Sequence, residues 1–160
     1  MSPARIVAIA LLTSAAAVVS AVAQETVSIS VPMAVSFDVT DVSRATSGGP
    51  QLTTISLSNA ALTQGRALRV SVQADAVAFT PPSGESIPAS KVSWNVLGAI
   101  GGVGVNGTLG SAFFAIVFQG DPARSSSRID LGWTLAAPGS GLRAGTHQLT
   151  IRWKVESITP

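Results

Sequence analysis

Near the C-terminus apolar residues fall on every second position: Leu149, Ile151, Trp153 and Val155, with Thr150, Arg152, Lys154 and Glu156 around them. A period of two belongs to a β-strand with one face against a core and the other in water. The same alternation recurs in Ile129–Leu135, Val92–Val96 and Leu68–Val72. Closer to the N-terminus, Thr26–Val31 alternates, Pro32 interrupts, and Met33–Val39 resumes. Proline cannot donate to a ladder, so Pro32 marks an edge position, a bulge or a strand crossing from one sheet to another.

Leu52–Leu57 predicts a further strand with Ile55 and Leu57 inward, and the continuous apolar run Phe113–Phe118 predicts one buried on both faces. Breakers at 47–50, 81–84, 120–122 and 138–141 separate these segments. Asn59–Gly65 and Asp75–Phe79 read as connections, each with room for one helical turn. Six glycines between Gly98 and Gly110 predict a mobile hairpin or bulged loop, because glycine frees the backbone and packs no side chain. Eight or nine strands at this spacing, with no convincing helix, predict an all-β, antiparallel, immunoglobulin-like β-sandwich. Trp94, Trp133 and Trp153 share the parity of aliphatic neighbours, so with Leu149 and Ile151 they are expected in its core.

The first residues read differently. Arg5 precedes an apolar stretch, Ile6–Ala23, that ends in Ala21-Val22-Ala23, a small-x-small cleavage site before Gln24. This is the pattern of a secretory signal peptide over 1–23, leaving a single β-sandwich domain over 24–160. An uncleaved anchor is the rival, since the stretch reaches the lower end of the about 17–25 residues that span a bilayer. The alanine-rich composition and the cleavage site favour removal, which places the mature chain in the periplasm, at the cell surface or outside the cell.

Charge narrows the partners. Without Arg5, nine basic side chains stand against eight acidic ones, with no run of like charge. The pI of about 9.9 reflects the lack of Tyr and Cys to titrate above neutrality, not a basic surface. Nucleic acid, and membrane after cleavage, are therefore not expected partners. The absence of cysteine excludes disulfides, thiol catalysis and cysteine-held zinc.

Candidate chemistry is sparse. Gly102-Val-Gly104-Val-Asn-Gly107 spells GxGxxG, but a dinucleotide site needs a helix to follow, and Ser111–Phe118 reads as strand. His147, the single histidine, has core parity, and neither Ser83 nor Ser140 lies in a GxSxG elbow. Asp38, Asp41, Asp75, Glu85 and Asp121 follow no calcium-loop spacing and read as turn caps. Asn106-Gly-Thr108 is formally a glycosylation acceptor. No catalytic, cofactor or metal site is predicted, and the chain is read as a non-enzyme.

Gly145-Thr-His-Gln-Leu-Thr-Ile-Arg-Trp-Lys-Val155 resembles the closing strand of small secreted bacterial surface β-sandwiches. Trp153-Lys-Val155, with Trp94-Asn-Val96 and Trp133-Thr-Leu135, is similar to the paired Trp-x-Leu motifs of WxL cell-wall-binding domains. The overall plan also resembles pilin and spore-coat-U-like subunits, although the penultimate aromatic residue of chaperone-usher pilins is missing. The resemblance implies a non-enzymatic structural or adhesive protein of the bacterial cell envelope that associates with itself or with an envelope protein or glycan. In pilin-like subunits an alternating N-terminal extension pairs with a neighbour's incomplete sheet, and Val27, Ile29 and Val31 have that pattern. The alternative for this strand is pairing within its own domain. The alternative for the protein is a glycan-binding module working through the 98–110 loop and neighbouring turns.

Overall fold

The structure, a computed structural model, describes residues 24–79, 86–138 and 144–160. The expected leader, with Ala21 and Ala23, lies outside the described residues; Gln24 is exposed just before the first strand.

Strands are numbered in chain order. One sheet runs β1 (Thr26–Ser30), β4 (Thr53–Ala61), β10 (Ser127–Leu135), β6 (Val92–Ile100) and β8 (Gly107–Thr108), with β3 (Thr46–Ser47) also beside β10. The other runs β2 (Ala34–Val39), β11 (Gly145–Ile158), β5 (Ala67–Ala74), β9 (Ala115–Gly120) and β7 (Gly102–Gly104). All pairings are antiparallel, and the two sheets pack face to face. Among the described residues there are eleven strands, against the eight or nine expected, because β3, β7 and β8 are two or three residues long and carry no alternation to read. Among the described residues the helical content is one 3-10 turn at Ala89–Lys91, so neither Asn59–Gly65 nor Asp75–Phe79 forms the helical turn for which they have room.

Alternation decides which side chains are inside. In β10, Ser127, Ile129, Leu131, Trp133 and Leu135 are buried and the residues between them are not. Trp94, Trp133, Leu149 and Ile151 join one continuous core. Each buried Leu or Ile contributes about 1.5–3 kcal/mol relative to exposure. Trp94 meets Trp133 edge-on at 5.8 Å, and Trp133 meets Trp153 at 6.4 Å, linking the sheets through three indoles. Trp153 departs from expectation: it packs against the core but is only half-buried.

Two other segments differ from their sequence reading. In the run Phe113–Phe118, Phe113 is 82% exposed, while the adjacent Val117 and Phe118 are both fully buried. The β5–β9 register slips there: Val70 pairs with Phe118 and Ser71 with Ile116, which leaves Val117 as the extra residue of a bulge. The glycine-rich segment after β6 forms β7 against β9 and β8 against β6, so it straps across one edge of the sandwich and touches both sheets. Its glycines answer to space: a Cβ on Gly107 would overlap the Trp94 indole, and one on Gly102 would overlap the Gln119 carbonyl. The Trp94 indole N–H donates to the Val105 carbonyl at 2.7 Å, and the Val96 amide donates to Asn106 Oδ1 at 2.8 Å, fixing the strap further.

Candidate functional site

The most unusual feature of this sandwich is the edge of β11. Fourteen residues long, β11 has β2 on one side along Gly145–Thr150 and β5 on the other along Ile151–Ile158. The ladder with β2 ends because the chain leaves it. Met33 O accepts from the Ile151 amide at 3.0 Å, and Pro32 O accepts from the Trp153 indole N–H at 2.6 Å. The chain then crosses to the other sheet, where β1 pairs with β4. Of the three roles Pro32 allows, the structure selects the crossing.

Among the described residues, the edge of β11 facing away from β5 therefore has no strand beside it beyond Ile151. Backbone groups alternate along a strand, and the Ile151 amide points to the β2 side. Those of Trp153, Val155 and Ser157 consequently face the open edge. Trp153 and Val155 present half-buried apolar side chains to the core from that edge.

The opposing sheet shows the same incompleteness. Ile29 pairs with buried Leu57 yet is 38% exposed. Val27 and Val31 are half-buried, so β1 pairs within its own chain but buries little of its apolar face. A cleft of about 210 Å³ opens between β1 and β11 and is lined by Val27, Leu62, Leu68 and Val155. At the other end of the edge, a depression runs from Val31 and Met33 past Arg152 to Phe114.

A polar clamp closes one end of the cleft. Glu25 Oε1 accepts from the Thr63 amide at 2.8 Å and lies 3.4 Å from Arg66 Nε, while Arg66 donates to the Ser157 hydroxyl and carbonyl. A hydrogen bond from Ser157, then those from Thr63, and then the Arg66 charge lower the Glu25 carboxyl to about 2. On the outer face of β11, Arg152 pairs with Asp75 and Lys154 with Glu156, so these exposed charges are internally balanced.

The other residues weighed in the sequence take structural places. His147 is fully buried in β11, opposite Phe37. Asp41 accepts from the Ser43 hydroxyl and amide, which hold its carboxyl below the usual range, and it caps that turn. Asp121 pairs with Arg124, and Thr146 donates to Asp38 at 3.4 Å. Ser83, Glu85 and Ser140 lie outside the described residues. Among the described residues no cluster of His, Cys, Asp or Glu could hold a metal ion. The GxGxxG letters fall across β7 and β8, with strand and not helix after them.

Sequence reasoning missed the Glu25–Arg66–Ser157 clamp and the exposure of Phe113. The clamp joins residues far apart in the chain, with no local signal. For Phe113 a signal existed: Gly110-Ser111-Ala112 stands directly before it, and its run lacks alternation. Comparison of the chain with protein-family models, curated proteins and solved structures finds no match.

Proposed function

We propose that this chain is an exported, non-enzymatic structural protein of the bacterial cell envelope with an immunoglobulin-like plan, and that its copies join by strand pairing. The observation that carries the reading is the open edge of β11 from Ile151 to Ile158, with apolar Trp153 and Val155 on its inner face. A strand added there gains backbone hydrogen bonds along its length and covers Ile29 and the cleft beneath it. The occupant we assign is Glu25–Val31 of a second copy. Its Val27, Ile29 and Val31 recur every second residue, matching the spacing of Trp153 and Val155, and they are poorly covered where they now lie. The test is light scattering on residues 24–160 over a concentration series. Mass should rise with concentration and fall back to the monomer in V27S/I29S/V31S; a monomer throughout removes the proposal.

One observation favours a second reading, a glycan-binding module. Phe113 is 82% exposed and Phe114 lies beneath Lys154 at 5.8 Å, a small aromatic platform on a rigid sheet. Phe113 follows the 98–110 segment by three residues, and within that segment Gly101, Gly102, Gly104 and Gly107 leave no room for a side chain. Binding on a glycan array that is lost in F113A would favour this reading.

A further inference from the structure

The β2–β11 ladder runs unbroken from Val39 opposite Gly145 to Ala34 opposite Thr150, and the Ile151 to Met33 bond extends it by one residue. Continued at that register, it sets Val31 opposite Trp153, Ile29 opposite Val155 and Val27 opposite Ser157. Ser30 and Ser28 then stand opposite Lys154 and Glu156. Period two is preserved, so the three apolar residues still face the core, as they do on β4. Pro32 does not obstruct the continuation: Met33 and Val31 make the bonds to β11, and the missing N–H of Pro32 falls on the outer side.

What holds β1 on β4 is slight. A register shift interrupts the pairing between Thr26 and Ser28, Ile29 is 38% exposed, and the polar anchors are Glu25 at one end and, at the other, the single Trp153 bond to Pro32, which the transfer breaks. We infer that Glu25–Val31 is a two-position strand: it leaves β4 and continues β2 along β11 of its own chain, closing the edge that would otherwise receive a neighbour. The two positions exchange one sheet edge for another with the same residues inward, so they compete for the same acceptor. The regulatory consequence rests on the assembly proposed above; the transfer itself does not.

The cysteine-free chain allows a direct test. Ser28 and Ser58 are directly opposed on β1 and β4, so S28C/S58C should oxidise within the chain and hold β1 in its described position. Ser28 and Glu156 lie in different sheets, which pack about 10 Å apart, beyond the roughly 7 Å Cα separation a disulfide spans. In a glutathione buffer S28C/E156C should nevertheless become a disulfide-bonded monomer that no longer assembles, and S30C/K154C, at the next pair, should do the same. Both pairs are surface substitutions, and circular dichroism of the reduced proteins checks that each folds. Thiols that stay free in both variants while S28C/S58C oxidises overturn the inference. Disulfides formed only between chains overturn it too, while supporting assembly. An intrachain bond in a protein whose parent never assembles upholds the transfer and removes the assembly reading.

Discussion

The indole N–H of Trp153 donates to the carbonyl of Pro32 at 2.6 Å, tying the last strand of one sheet to the point where the chain departs for the other. Pro32 cannot itself donate to a ladder, and the bond from Trp153 holds the chain at the point where it leaves β2 in the described position of β1. The proposed strand pairing follows from that stop: among the described residues, an edge of β11 without a strand beside it beyond Ile151, and a first strand with two places to go.

Trp153→Phe keeps most of the ring packing but removes the donor, and should cost about 1 kcal/mol in urea unfolding. Trp94→Ala, at a fully enclosed position, should cost about 3–5 kcal/mol. A neutral Trp153→Phe would show that the bond to Pro32 does not set the crossing.

The glycine strap makes a paired prediction. Gly107→Ala drives a methyl group into the Trp94 indole and should destabilise by about 1–3 kcal/mol. Gly110→Ala meets nothing within 4 Å and should change stability by less than about 1 kcal/mol. Equal effects at the two sites would mean the strap does not depend on close approach.

Glu25 gives a pH signature. Its carboxyl is lowered from 4.5 to about 2, so the folded state favours the charged form. Stability from this group is complete above about pH 4.5 and is lost as pH falls toward 2. Urea midpoints should decline across that window, and Glu25→Gln should flatten that part of the decline. An unchanged slope in the variant would remove Glu25 as the anchor of β1.

A chain beginning at Pro32 should remain folded and monomeric, with a lowered unfolding midpoint, because the side chains it loses are mostly exposed or half-buried. Circular dichroism and light scattering check this. A truncated chain that unfolds would make β1 an integral strand of the domain, too costly to release.

The legible parts of this fold are those where one face is dry and the other wet. Leu149, Ile151, Ile129 and Trp133 announced their strands because burial on one side imposes a period of two. Pro32 announced a break but not which kind, since edge, bulge and crossing all satisfy its missing donor. The run Phe113–Phe118 signalled burial, which Val117 and Phe118 show, but not that Phe113 lies outside it or that a bulge turns Val117 and Phe118 inward together, since a bulge depends on the partner strand. The glycines of the strap looked like freedom and proved to be clearance: Gly107 is explained by Trp94, thirteen residues earlier, in a contact no local pattern encodes. The open edge was invisible for the same reason, since alternation in Trp153 and Val155 says that a strand has an inner face and nothing about how many neighbours it has.

The most direct measurement is amide hydrogen exchange, residue by residue, along β11 in dilute and concentrated samples. In the dilute monomer the amides of Trp153 and Val155, facing the open edge, should exchange at least about tenfold faster than those of Arg152 and Lys154, which face β5. At concentrations where mass rises, Trp153 and Val155 should become protected while Arg152 and Lys154 change little. Equal, slow exchange at all four in the dilute sample, or no gain of protection as copies associate, would contradict strand pairing at this edge.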